Sequence, residues 1–141
     1  MKQKLNFFVK FVLKSFFSFI SSTKVGSYIN EVIINDVMNR VLSVNHQGTH
    51  LKFSTPNWIT KWRAETFSDK EPETLEWIDE IPKRSVLWDI GANVGLYTCY
   101  AAKRGVKVFA IEPSVFNLEI LSRNIFLNNL TEQVTIVPLP L

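Results

Sequence analysis

Val86-Leu87-Trp88-Asp89-Ile90-Gly91-Ala92-Asn93-Val94-Gly95 is the stretch that decides the fold. Val86, Leu87 and Trp88 form an apolar run bounded by Ser85 and Gly91, the pattern of a strand in a parallel sheet covered on both faces. Gly91 and Gly95 mark a tight turn and a close approach of backbone. The residues after Gly95 open a helix, whose free N–H groups and positive dipole end aim back at the loop. Such a loop is expected to hold the negatively charged part of a ligand.

Downstream the pattern is regular. Residues 96–104 are good helix formers, and Gly105 is placed to cap them in the left-handed conformation. Val106-Lys107-Val108-Phe109-Ala110-Ile111 reads as a second strand, 116–128 as a second helix and Val134-Thr135-Ile136-Val137 as a third strand. The order β-α-β-α-β predicts an α/β fold: a Rossmann-like, three-layer parallel sheet with right-handed crossovers and strands in the spatial order third, second, first. The sequence then ends at Pro138-Leu139-Pro140-Leu141. Nothing remains to cover the other side of the first strand unless the hairpin at 41–54 does so, and a fragment of a longer protein is expected.

Upstream, residues 4–20 carry six of the eleven Phe. Leu5, Phe8, Val9, Val12, Leu13, Phe16, Phe17 and Ile20 follow a helical face, with Asn6, Lys10, Lys14 and Ser18 as a polar stripe. Two uses compete: packing on the body, or peripheral membrane contact with the lysines at headgroup level. The lysines and the length argue against a signal peptide or a spanning helix. A second helix is expected within 25–40. Val41-Leu42-Ser43-Val44-Asn45 and His50-Leu51-Lys52-Phe53-Ser54 read as a hairpin, with His46 and His50 as exposed turn residues rather than metal ligands. Short helices are expected at 58–67 and from Pro72 to the stop at Pro82. The domain reading is 1–54 for the helical and hairpin extension, 55–84 for a helical segment, and 85–141 for the partial sheet domain. Trp88 and Cys99 are expected in the core.

The net charge of +3 is uneven, since five lysines precede the first acid and the remainder holds 11 basic and 13 acidic residues. No basic stripe is visible, and no nucleic-acid partner is expected. A single cysteine favours a reducing compartment such as the cytoplasm.

Asp89-x-Gly91-x-Asn93-x-Gly95 departs from the dinucleotide fingerprint, because an acid precedes the first glycine and Leu96 stands where the last glycine belongs. Asn93 tolerates left-handed backbone. Glu112, 21 residues after Gly91, ends the next strand, where an acid accepts bonds from ribose hydroxyls. Trp88-Asp89-Ile90-Gly91-Ala92-Asn93-Val94-Gly95-Leu96-Tyr97 resembles motif I of the class I S-adenosylmethionine-dependent methyltransferases, and of the FkbM family in particular. Ala110-Ile111-Glu112-Pro113, with Asn117, Asn124 and Asn128, resembles the next block, and Arg63-Ala64-Glu65-Thr66-Phe67 and Lys70-Glu71-Pro72-Glu73-Thr74-Leu75 resemble the segment before motif I. The resemblance covers about 55–141 and implies the first three strands of such an enzyme. It implies S-adenosylmethionine as cofactor. Asp89, Gly91, Ala92, Asn93 and Gly95 would lie under its methionine part, and Glu112, with Pro113 beside it, would take the ribose. It also implies O-methylation of a sugar or natural-product hydroxyl, hence a small-molecule or glycan acceptor. A hydroxyl acceptor would want a general base or a metal nearby, and neither a base nor a metal ligand is named. Arg63 reads as a surface or helix-pairing residue rather than a carboxylate clamp, and Glu71 and Glu73 as helix-start acids. The rival readings are a nicotinamide-dependent oxidoreductase and a non-catalytic, membrane-associated fragment.

Overall fold

The computed structural model describes the backbone of residues 2–140 and the side chains of residues 7–140. Leu5 and Asn6, assigned to opposite stripes of the first helix, lie outside the described side chains. The chain divides into two compact units, Met1–Met38 and Asn39–Leu141. The boundary precedes the hairpin, so residues 41–54 fall within the second of these units.

The first unit is a pair of helices, α1 (Lys2–Ser21) and α2 (Lys24–Met38). Thr23 starts α2: its Oγ1 accepts from Gly26 N at 3.0 Å and its carbonyl from Ser27 N at 2.9 Å. Asn30 Nδ2 donates to Ser21 Oγ at 2.6 Å across the turn. A Cβ at Gly26 would lie 1.9 Å from Ile20 O, so only glycine fits there. Phe7, Phe8, Phe11, Phe16, Phe17 and Phe19 are exposed. Among the described residues no helix is long and apolar enough to cross a membrane.

The second unit runs β1 (Val41–His46), β2 (Thr49–Ser54), α3 (Trp58–Glu65), α4 (Pro72–Glu80), β3 (Val86–Ile90), α5 (Leu96–Lys103), β4 (Lys107–Ile111), α6 (Val115–Leu127) and β5 (Val134–Val137). Strands β3, β4 and β5 form a parallel sheet in that order, with Asp89 opposite Ala110 and Ala110 opposite Ile136. This is the expected order. The hairpin forms its own two-stranded antiparallel sheet and does not extend β3. Its turn, Gln47-Gly48, has φ of 46° and 78°, the double left-handed turn that matches strand twist.

Both crossovers step the same way along the sheet, and both are right-handed, so α5 and α6 fall on one face. The hairpin packs against the far side of these two helices, which places them between two sheets. One apolar core fills the space, with Leu51 and Phe53 from β2, Phe67, Leu75 and Ile78 from the α3–α4 region, Tyr100 from α5, Val108 and Ala110 from β4, and Leu121 from α6. The outer sheet face stays bare. Val86, Trp88, Ile90 and Phe109 are exposed, and the Trp88 and Phe109 rings touch at 6.0 Å. This corrects the reading of β3 as covered on both faces and of Trp88 as core: the strand alternates, and only Leu87 and Asp89 turn inward.

Two asparagines of α6 hold the hairpin. Asn124 Oδ1 accepts from Ser54 N at 2.7 Å, and its Nδ2 donates to Val94 O at 2.7 Å. Asn128 Oδ1 accepts from Lys52 N at 2.9 Å, and its Nδ2 donates to Lys52 O at 2.7 Å. The side chains therefore act as a short strand edge for β2. His46 is also corrected. Alternation puts it on the inward face with Leu42 and Val44. There its Nδ1 lies 3.0 Å from Ser68 Oγ and its ring meets Tyr100 edge-on. His50 is exposed, as expected.

Candidate functional site

The β3–α5 loop is built on left-handed residues: φ is 80° at Gly91, 54° at Asn93 and 80° at Gly95. Gly91 N and Ala92 N both donate to Ile111 O, at 2.9 and 3.0 Å, which ties the loop to the end of β4. Asn93 N donates to Glu112 Oε2 at 2.9 Å. Gly95 N donates to Ala92 O at 2.8 Å. These loop amides are spent within the protein. Asn93 takes the left-handed conformation at the cost that its short polar side chain makes tolerable.

Asp89, the last inward residue of β3, meets the start of α5. Its carboxylate accepts from the Thr98 hydroxyl and from the Thr98 amide. Thr98 is the third residue of the helix, so Asp89 satisfies one of the orphan amides and sets a negative charge at the positive dipole end. Burial raises its pKa, against the Thr98 bonds that lower it. The expectation that this helix end awaits a ligand anion is therefore corrected. The protein supplies the anion itself.

A cleft of about 320 Å³ opens beside the loop, at the small end of the range for small-molecule sites. Asp89, Gly91, Ala92, Asn93 and Gly95 line it. Gly91 faces open space, with no atom within 4 Å of where a Cβ would stand. Glu112 is 6% exposed and meets the loop from behind. Its Oε1 accepts from Ser114 N at 2.9 Å and from Asn117 Nδ2 at 3.2 Å, while Oε2 takes Asn93 N. Pro113 is exposed and does not line the cleft. The structure thus brings five of the expected residues to one cleft, joins Glu112 to them through Asn93, and leaves Pro113 aside.

The opposite wall comes from α3 and the turn to α4. Arg63 Nη1 donates to Asn93 Oδ1 at 2.6 Å, so Arg63 is a loop partner rather than a surface or helix-pairing residue. Glu71 holds the N-cap position of α4 but gives no side-chain cap bond. It accepts from the Tyr97 hydroxyl and pairs with Lys70 Nζ at 3.1 Å. Burial, then the charge and bond of Glu71, push the Tyr97 phenol up to about 12, so it stays protonated and serves as a donor. Among the described residues no three His, Cys, Asp or Glu side chains gather as a metal site. Tyr97 and Arg63 were both within the quoted motifs. Their meeting across the cleft is set by the packing of α3 on the hairpin, which no spacing in the sequence announces.

No family model matches the sequence, and no curated protein matches it. Among solved structures, the S-adenosylmethionine-dependent methyltransferase of Agrobacterium tumefaciens aligns with 70% of this chain and 32% of its own, at 12% identity and a TM-score of 0.52. TYW2 of P. horikoshii, solved with MeSAdo, aligns over 71% of this chain and 36% of its own, at 20% identity and a TM-score of 0.51. The tRNA m1G37 methyltransferase of M. jannaschii aligns over 73% and 31%, at 21% identity and a TM-score of 0.46. The chain spans about a third of the length of each. The expected absence of a nucleic-acid partner is corrected, since a protein named for action on tRNA stands among these similar structures. None of these comparisons singles out the FkbM family. What these solved methyltransferases share with this chain is a Rossmann-like fold.

Proposed function

We propose that the β3–α5 cleft binds S-adenosylmethionine and that the chain carries the cofactor half of a methyltransferase. The observation that carries this reading is Asp89. A pyrophosphate would seek the helix N-terminus, but a half-buried carboxylate already occupies it and would repel a phosphate. A cationic sulfonium and an amino-acid ammonium are compatible with the same acid. The residues present fit the group: Gly91 leaves open space on the cleft side, and the cleft is lined by groups of both charges. When bound, S-adenosylmethionine supplies a methyl group that leaves its sulfonium in line to a nucleophile.

The chain's own part is positioning. The left-handed loop presents Gly91 as a floor without a side chain, and Asp89 keeps the field at that floor negative. Tyr97 remains a hydrogen-bond donor at the wall. Glu112 positions the loop through Asn93 N, and taking ribose hydroxyls would require it to release Ser114 N and Asn117 Nδ2, since its oxygens already take three donors. The finer reading, a hydroxyl acceptor on a sugar or natural product as in the FkbM family, is supported by the motif resemblance alone. Methyl transfer to glycans and to tRNA, assayed side by side, decides between acceptor classes. The cofactor reading is tested by calorimetric titration with S-adenosylhomocysteine and with NAD. Binding of the first and none of the second is expected, and the reverse overturns it.

A further inference from the structure

The cleft holds two cations, and one of them is already spent. Lys70 Nζ pairs with Glu71 at 3.1 Å and lies 5.8 Å from the centre of the Trp62 ring. Arg63, on the last turn of α3, is half-buried and gives one Nη1 bond to Asn93 Oδ1. No carboxylate pairs with it among the described residues. A guanidinium carries five donors in a planar fork, so most of the fork is unspent in a concave, partly desolvated place. Asn93 is itself fixed, by its left-handed backbone and by its amide on Glu112, and therefore fixes the plane of Arg63 against the loop.

We propose that Arg63 clamps the α-carboxylate at the amino-acid end of the cofactor, an assignment that rests on the methyl-donor reading above. A planar fork takes a carboxylate through two parallel charge-assisted bonds, and a pre-set plane reduces the ordering lost on binding. Glu71 and Asp89 line the same cleft and suit the α-ammonium, so the cleft matches a zwitterion rather than a simple anion. The clamp also explains why a cation from α3 is bonded to a loop asparagine instead of to one of the nearby acids.

The test compares S-adenosylhomocysteine with 5′-methylthioadenosine, which keeps the nucleoside and thioether but lacks the amino-acid end. Both are titrated into the wild type, Arg63→Gln and Arg63→Lys. Arg63→Gln is expected to weaken S-adenosylhomocysteine by about 10- to 100-fold, the range for losing bonds to a charged group, and to leave 5′-methylthioadenosine unchanged. Arg63→Lys, which keeps charge without the fork, is expected to fall between. Unchanged binding of 5′-methylthioadenosine also certifies that the variants are folded. Equal loss of both ligands, or S-adenosylhomocysteine binding within twofold of wild type in Arg63→Gln, overturns the clamp while leaving the cofactor reading intact. If the wild type binds neither nucleoside, the cofactor reading fails and the clamp with it.

Discussion

Replacing Asn124 by alanine strikes the point where the hairpin, α6 and the cleft loop are joined. The side chain is fully buried, accepts from Ser54 N and donates to Val94 O, both at 2.7 Å. Alanine leaves one amide and one carbonyl buried without partners, each costing about 1–3 kcal/mol, so a loss of about 2–6 kcal/mol is expected. A domain of this size has about 5–15 kcal/mol to lose, so the variant lies near the edge of folding. Asn124→Leu separates packing from hydrogen bonding. It restores the volume but orphans the same two groups, and it should lose nearly as much as alanine. Urea unfolding, followed by Trp fluorescence and far-UV circular dichroism, measures both. A loss below about 1 kcal/mol in either variant would refute the claim that this asparagine stitches the hairpin to the loop.

Other consequences are separately measurable. Burial pushes the Cys99 thiol up to about 12, so it should resist a thiol reagent at pH 8 in the native protein and react at once in urea; fast native labelling would contradict its placement. Asp89 has a folded pKa above its ordinary 3.8, so its favourable contribution is present below that value and is lost as pH rises through the folded one. The stability of wild type relative to Asp89→Asn should therefore decline from pH 3.8 upward, and a rising difference would refute this. Gly91→Val should fold, because nothing lies within 4 Å of its Cβ, at a backbone cost of about 1–2 kcal/mol, and should lose nucleoside binding in a titration. Gly26→Ala meets Ile20 O at 1.9 Å and should loosen the α1–α2 pair, read as faster amide exchange across the Ser22–Thr23 turn; unchanged protection would show that the helices do not approach there.

The alternation of strand and helix was legible because it is written locally. Gly105 and Pro82 punctuate it, and Gly91, Asn93 and Gly95 declare a left-handed loop through residue type alone. The wrong inferences concerned what only packing decides. The apolar run at β3 looks the same whether one face or two are covered, and the two like-handed crossovers leave one face bare. His46 looked like a turn residue because its inward direction depends on strand register. Glu112 was recognisable as a strand-end acid, but its bonds to Asn93, Ser114 and Asn117 require the fold. Asn124 and Asn128 did carry a signal, two amides four residues apart on the apolar face of a helix. Such residues at core positions need partners, and here the partners are the backbone of β2. Arg63 and Tyr97 carried none beyond their motifs, since the bond of Arg63 to Asn93 spans 30 positions and depends on how α3 packs on the hairpin.

The central claim is that the β3–α5 loop receives a methyl-donor nucleoside. Amide chemical shifts, followed by NMR during titration with S-adenosylhomocysteine and separately with NAD, test it most directly. The account predicts saturable shifts at Gly91, Asn93, Gly95 and Tyr97 with the first ligand and none with the second. Shifts at these four amides with NAD alone would contradict it.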